Sequence, residues 1–291
     1  MHSYLRAVGF SEIKTRKLLE NIYVSSLKSP NRKMITTTGI DTSLIQFEKD
    51  FCDKMGLGLV GEYDINGSLS IEHYFPYLKG DVFMEFENIS VEKQTDKESY
   101  AGVCEDIRLG MTLIFYVLNI SDYAKSKWLN YSNRNLSRVK LSGLSTGGTI
   151  LVGVMQDESS RAYEEKLKRR RNNLLFEAKN GNTEAIESLT LEEMDTYATL
   201  SGRIHYEDIL TIVDTSFMPC GVECDHYMIT AHILKVTKIT NSYTKELIYN
   251  LALKCNDIYL NVAINSKDLQ GEPMEGRRFR GEIWLQGHIQ I

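Results

Sequence analysis

Cys220, Cys224, His226 and His232 come nearest to a metal-binding set in this 291-residue chain. A Zn²⁺ site takes thiolate and imidazole ligands in close pairs. Cys220 and Cys224 form one such pair, and no second close Cys or His pair follows it. The expected reading is buried thiols and strand histidines, with Cys220, Cys224 and His226 kept as metal-ligand candidates. Carboxylates suited to general acid–base work fall close together at Glu105/Asp106, Glu192/Glu193 and Glu223/Asp225. A hydrolase or transferase would be built around Glu223 and Asp225, with a metal at Cys220, Cys224 and His226 in its metal-dependent form. Spacing alone does not say which carboxylates meet across a cleft.

The final segment offers a different chemistry. Arg280, Trp284 and His288 share one face of an alternating strand, with Arg277 and Arg278 just before them. A tryptophan between cations can stack on a base, a sugar or a partner side chain. A tryptophan covered by neighbouring structure is the ordinary alternative. The leading expectation is a non-enzymatic binding or regulatory protein for a protein partner or a small anionic ligand, with no cofactor.

Other patterns carry less. Arg134, Arg138 and the segment Gly143-Leu-Ser-Thr-Gly-Gly148 resemble the PilZ family of cyclic-dinucleotide receptors, which implies arginines clamping phosphates beside a Ser-Gly turn. Gly143 stands where that family has an acidic or amide residue, and the two elements lie closer together than in that family. A glycine β-turn accounts for the same residues. The basic run Lys166, Lys168, Arg169, Arg170, Arg171 could bind phosphate, but Glu164, Glu165 and Glu177 lie on the same helix and point to a solvated, ion-paired face. There is no P-loop, dinucleotide fingerprint, G-x-S-x-G elbow, H-E-x-x-H or EF-hand loop in the sequence.

These residues need elements to position them. Ser11 is a cap for a first helix carrying Ile13, Leu18, Leu19, Ile22 and Tyr23, Ser25 to Thr38 reads as a loop, and Ser43 to Met55 reads as a second helix. Strands are expected at Leu57–Tyr63, Ser68–Tyr77, Val82–Glu92 and Met111–Asn119, with turns at Asn66-Gly67 and Gly80-Asp81. A connecting helix follows over Ser121–Tyr131, then a strand pair, Val139–Leu141 with Thr149–Val154, around Gly147-Gly148. Helices are expected at Glu158–Lys179 and Thr183–Ile204, the second containing a Thr190/Glu193 capping box. The rest is β: Ile209–Val213, Tyr227–Ile239, Glu246–Cys255, Ile258–Ile264 and Phe279–Ile291. In the last strand Gly281 and Gly287 fall on the apolar face, where a missing side chain implies close approach by another element.

The expected fold class is α+β: an N-terminal helix-plus-antiparallel-sheet domain (1–156), a helical connector (157–206) and a C-terminal antiparallel β meander or small barrel (207–291). Hydrophobic residues at 42% and charged residues at 25% suit a packed fold. A net charge of −5 gives no global attraction to nucleic acid or an anionic membrane. The longest apolar run, Met111 to Ile120, is too short for a membrane span. The start, Met1 to Lys17, lacks the pattern of a signal peptide, and five scattered cysteines suit a reducing compartment. A cytoplasmic location follows as the expectation. The segments MHSYLRAVGFSEIKTRK, GNTEAIESLTLEEMDTY, FMPCGVECDHY and GRRFRGEIWLQG resemble an uncharacterised family of clostridial cytoplasmic proteins, a domain of unknown function. The resemblance spans nearly the full length, implies no further modules and carries no activity with it.

Overall fold

Thr15 starts the first α-helix, α1 (Arg16–Lys28), by accepting a hydrogen bond from the Leu18 N–H. Ser11 is not the cap because its hydroxyl is turned to Glu246 at 2.7 Å, and a short 3₁₀ turn, Ser3–Val8, precedes it. The computed structural model describes residues 2–37, 43–63, 67–93, 99–106, 111–128, 136–152, 158–204 and 214–291. Arg134, Asn66 and the strand expected at Ile209–Val213 lie outside them, as do the side chains of Asp106, Glu164, Glu165 and Lys168.

Four strands, β1 (Arg32–Thr37), β2 (Ser43–Cys52), β3 (Met55–Tyr63) and β4 (Leu69–Leu78), form an antiparallel sheet in chain order. The loop expected at Ser25–Thr38 is thus the end of α1 followed by β1, and the helix expected at Ser43–Met55 is β2. Leu44 through Glu48 are all buried, so β2 is covered on both faces. A short apolar run of that kind has no alternation to distinguish it from a buried helix.

Among the described residues the remaining strands share one twelve-stranded sheet. They are β5 (Phe83–Glu85), β6 (Ile89–Lys93), β7 (Tyr100–Asp106), β8 (Met111–Val117), β9 (Arg138–Ser145), β10 (Gly148–Leu151), β11 (Ser216–Pro219), β12 (His226–Thr240), β13 (Leu247–Cys255), β14 (Ile258–Asn265), β15 (Leu269–Gln270) and β16 (Arg278–Ile289). Helix α2 (Ile120–Trp128) follows β8, and α3 (Glu158–Lys179) and α4 (Thr183–Ile204) lie between β10 and β11. Asn182 caps α4, its side-chain oxygen accepting from the Glu184 and Ala185 N–H groups. Thr190 is mid-helix, donating to the Ile186 carbonyl, so the capping box expected there does not form.

Mixed α+β architecture is what the residues build, but the strands are not partitioned at the connector. β12 pairs with β13, β13 with β14, β14 with β9, β9 with β16, and β16 returns to β12. These five strands close a hydrogen-bonded ring, and β9 comes from before the helices. The β14–β9 and β16–β8 pairs are parallel, which a meander of adjacent hairpins cannot supply. β9 and β10 do not pair with each other as expected; β10 lies against β15 and β16. The apolar-face glycines behave as expected at Gly287, where a Cβ would stand 2.4 Å from Phe115.

Candidate functional site

Trp284 sits mid-strand in β16, on the face that also carries Arg280, Glu282, Gln286 and His288. That face is covered at its centre, and Trp284 is 5% exposed. The cover is β4 together with the N-terminal turn. Gln286 donates its side-chain amide to the Pro76 carbonyl at 2.8 Å and accepts from the Leu78 N–H at 3.2 Å. The indole ring lies 4.6 Å from His2, 5.7 Å from Tyr4 and 5.1 Å from Tyr116, centroid to centroid. Its N–H donates to Asp225 Oδ2 at 2.7 Å. The open stacking platform expected around Trp284 is replaced by a packed aromatic cluster with one polar tie.

The arginines expected beside it go elsewhere. Arg278 is buried, with Nη1 donating to the Asp214 carbonyl at 3.1 Å. Arg277 donates to the Glu272 carbonyl at 2.9 Å. Arg280 is exposed, at the register of Thr149 and Thr230.

Asp225 instead joins Trp284 to an acid–histidine group. One ligand atom each from Glu223, Asp225 and His226 falls within 4.8 Å of the others. His226 Nε2 is 3.3 Å from Glu223 Oε2, and its Nδ1 is 3.9 Å from Glu282 Oε1. Burial pushes the Asp225 carboxyl above the usual carboxylate range, although the indole N–H opposes the shift. Burial likewise raises the Cys220 thiol. Neither Cys220 nor Cys224 belongs to this group, so the side chains placed where they could hold a metal are two carboxylates and an imidazole rather than thiolates. His232 is held apart by Asp214 at 2.6 Å. Glu192 and Glu193 pair with Arg170 and Arg171 at 3.8 and 3.4 Å, as a solvated helix face requires. Glu105 is exposed on β7, opposite Thr112.

Arg138 and Ser145 open and close the eight residues of β9. At about 3.3 Å per residue they stand roughly 23 Å apart. Ser145 donates to the Glu282 carbonyl at 2.7 Å. Arg138 and the Ser-Gly turn therefore form no common phosphate clamp.

Arg138 and His288 do meet at the other end of the ring, in a cleft of about 1060 Å³. Phe83, Ile89, Val91, Tyr123 and Leu136 supply its apolar wall, and Lys125, Lys127, Arg138 and His288 its cationic or titratable one. The Arg138 guanidinium and Lys140 Nζ lie 5.1 and 4.6 Å from the Phe83 ring. Asp122 is occupied by Arg32 at 2.7 and 2.8 Å, and Arg138 has Glu85 at 3.3 Å. Lys125 and Lys127 are exposed and have no ion pair among the described residues. Burial lowers His288 to about 4, helped by Arg32, Lys79 and Lys140 and opposed by Asp122. Strand periodicity placed His288 on its face correctly, but nothing local marks the α2 lysines or Phe83 as its neighbours.

A family model described as a domain of unknown function, E. rectale gene description (DUF3881), matches residues 5–287. The chain belongs to this family. No curated protein and no solved structure matches it. The DUF3881 match takes in the acid–histidine group, Trp284 and the cleft lining from Phe83 to Arg138, and stops one residue before His288.

Proposed function

We propose that this protein is a cytoplasmic binding protein for a small organic anion with an apolar body, held in the cleft between α2 and the ends of β9 and β16. The observation that carries this reading is the pairing of an apolar wall with two lysines that have no acidic partner among the described residues. Ligand pockets combine these features, an apolar lining and a few polar groups, at volumes of about 300–1,000 Å³. The aromatic wall at Phe83 and Tyr123 suits a ring, and Lys125, Lys127 and Arg138 suit a phosphate or carboxylate. Neutral His288 can donate or accept a single hydrogen bond to the same ligand.

Thermal shift measurements with nucleoside monophosphates, sugar phosphates and aromatic carboxylates test this. A fitting anion at one hundred times its Kd stabilises the fold by about 2.7 kcal/mol. The double substitution Lys125→Glu/Lys127→Glu should abolish the shift without lowering the ligand-free Tm, and uncharged analogues such as adenosine should give none. Silence from every anionic probe at millimolar concentration removes the reading.

The Glu223/Asp225/His226 group favours a second reading, a carboxylate- or metal-dependent hydrolase or transferase. Two carboxylates and an imidazole suit a divalent transition metal. Titration calorimetry with Mn²⁺ and Zn²⁺ should then show one site that Asp225→Asn and His226→Ala both weaken at least about tenfold. Identical heats from the wild type and both variants count against it.

A further inference from the structure

We propose that the α3–α4 hairpin is a dimerisation arm that packs against the same hairpin of a second copy of this chain. Each helix has 22 residues, about 33 Å of length at 1.5 Å per residue. Among the described residues α3 and α4 pack extensively only on each other. The Lys179–Glu87 ion pair, at 2.5 Å, ties their turn end to the strands. Ala185, Leu189 and Glu192, at i, i+4 and i+7, form the buried and half-buried side of α4.

The opposite side of α4 carries a shorter apolar run that begins one turn after exposed Glu187. Leu191, Met194 and Ala198 recur at i, i+3 and i+7 and are all exposed, the first two at 64% each. On α3, Phe176 is 63% exposed and shares its stripe with Arg169 and Asn172 at the same spacing. Two helices alone cannot bury a second apolar stripe, whereas four can, in the manner of a bundle core.

Charge chooses the partner. Seven Lys and Arg against four Glu leave α3 at +3, while five Asp and Glu against one Arg leave α4 at −4. A second copy therefore offers an acidic helix to the basic one and a basic helix to the acidic one, as a two-fold interface demands. Contact between the two α4 helices alone would set like charges together. Within one hairpin, Arg170 and Arg171 are already used by Glu192 and Glu193. Arg169, Glu184, Glu187 and Asp195 have no ion pair among the described residues. Setting Phe176 of one copy against Leu191 of the other brings Arg169, one heptad from Phe176, to the level of Glu184 in parallel helices, and of Ala198, about one turn beyond Asp195, in antiparallel ones.

Light scattering coupled to size exclusion tests the arm. The full chain should elute at twice its 33.3 kDa mass. Leu191→Glu/Met194→Glu should elute as a monomer with an unchanged circular dichroism spectrum, because both positions are solvent-facing in the single chain. Arg169→Glu, a milder change, should weaken the dimer, and adding Glu184→Arg and Asp195→Arg should restore it. A wild-type monomer at about 100 µM, or a dimer that survives the double substitution, overturns the proposal. If the double variant loses helicity, the Arg169 charge swap decides: a dimer indifferent to it is not held by this hairpin.

Discussion

Replacing Trp284 by alanine is expected to lower the unfolding free energy by about 3–5 kcal/mol, the cost of emptying a large aromatic site that the surroundings cannot collapse to fill. The indole is packed by His2, Tyr4 and Tyr116 and sealed by the segment of β4 that Gln286 holds. Its removal also strips Asp225 of the N–H it accepts from. Trp284→Phe keeps most of the ring and should cost only about 1–3 kcal/mol, the penalty for the unsatisfied carboxylate. Urea unfolding of both variants gives the comparison. An alanine variant of wild-type stability would return Trp284 to the role of an open recognition residue.

Acidification should remove a comparable amount of stability without any mutation. His2 and His288 are both held near 4, His2 by burial with His226, the N-terminus and His73 adding to it, and His288 by burial among cations. Unfolded histidine titrates near 6.5, so between about 6.5 and 4 the unfolded chain carries more protons than the folded one. Stability is fully present above that window and is lost as pH falls through it, by up to about 1.4 kcal/mol per pH unit for each histidine. Asp225 acts the other way, since its raised pKa lets the folded state hold a proton that the unfolded state has released. The urea midpoint should therefore fall steadily from pH 6.5 to 4.5, and His288→Asn should flatten that slope. A midpoint level across this range in the wild type would mean that both rings are solvated.

How much of this was legible in the sequence depended on how each strand is buried. The bounds of β13 and β14 are legible because apolar and polar residues alternate in their sequences, even though burial follows that alternation only from Leu251 to Cys255 in β13 and β14 is buried throughout from Leu260 to Asn265. β2 was read as a helix because both of its faces are covered. The parity of β16 was right, and so was the shared face of Trp284, Gln286 and His288. Their exposure was not legible, because the residues that cover Gln286 lie 208 and 210 positions away in the chain. Of the metal candidates only His226 joins the acid–histidine group: Cys220 meets it through the backbone, its N–H donating to the His226 carbonyl at 3.0 Å, and the turn before β12 brings the Glu223 and Asp225 carboxylates to the imidazole instead. Phe83, Lys125, Arg138 and His288 come from four separate elements, and no local pattern spans them.

The ring of strands has a consequence for synthesis. Among the described residues every strand partner of β16, namely β8, β9, β10 and β12, precedes it in the chain. Residues 118–277 must therefore leave the ribosome after β8, and residues 146–277 after β9, before the strand that joins these edges emerges. Long-range pairing of this sort folds slowly and leaves open edges to template wrong contacts. The vulnerable period of this molecule is the wait for its last strand, when a chaperone able to shield the edges of β9 and β12 would matter most.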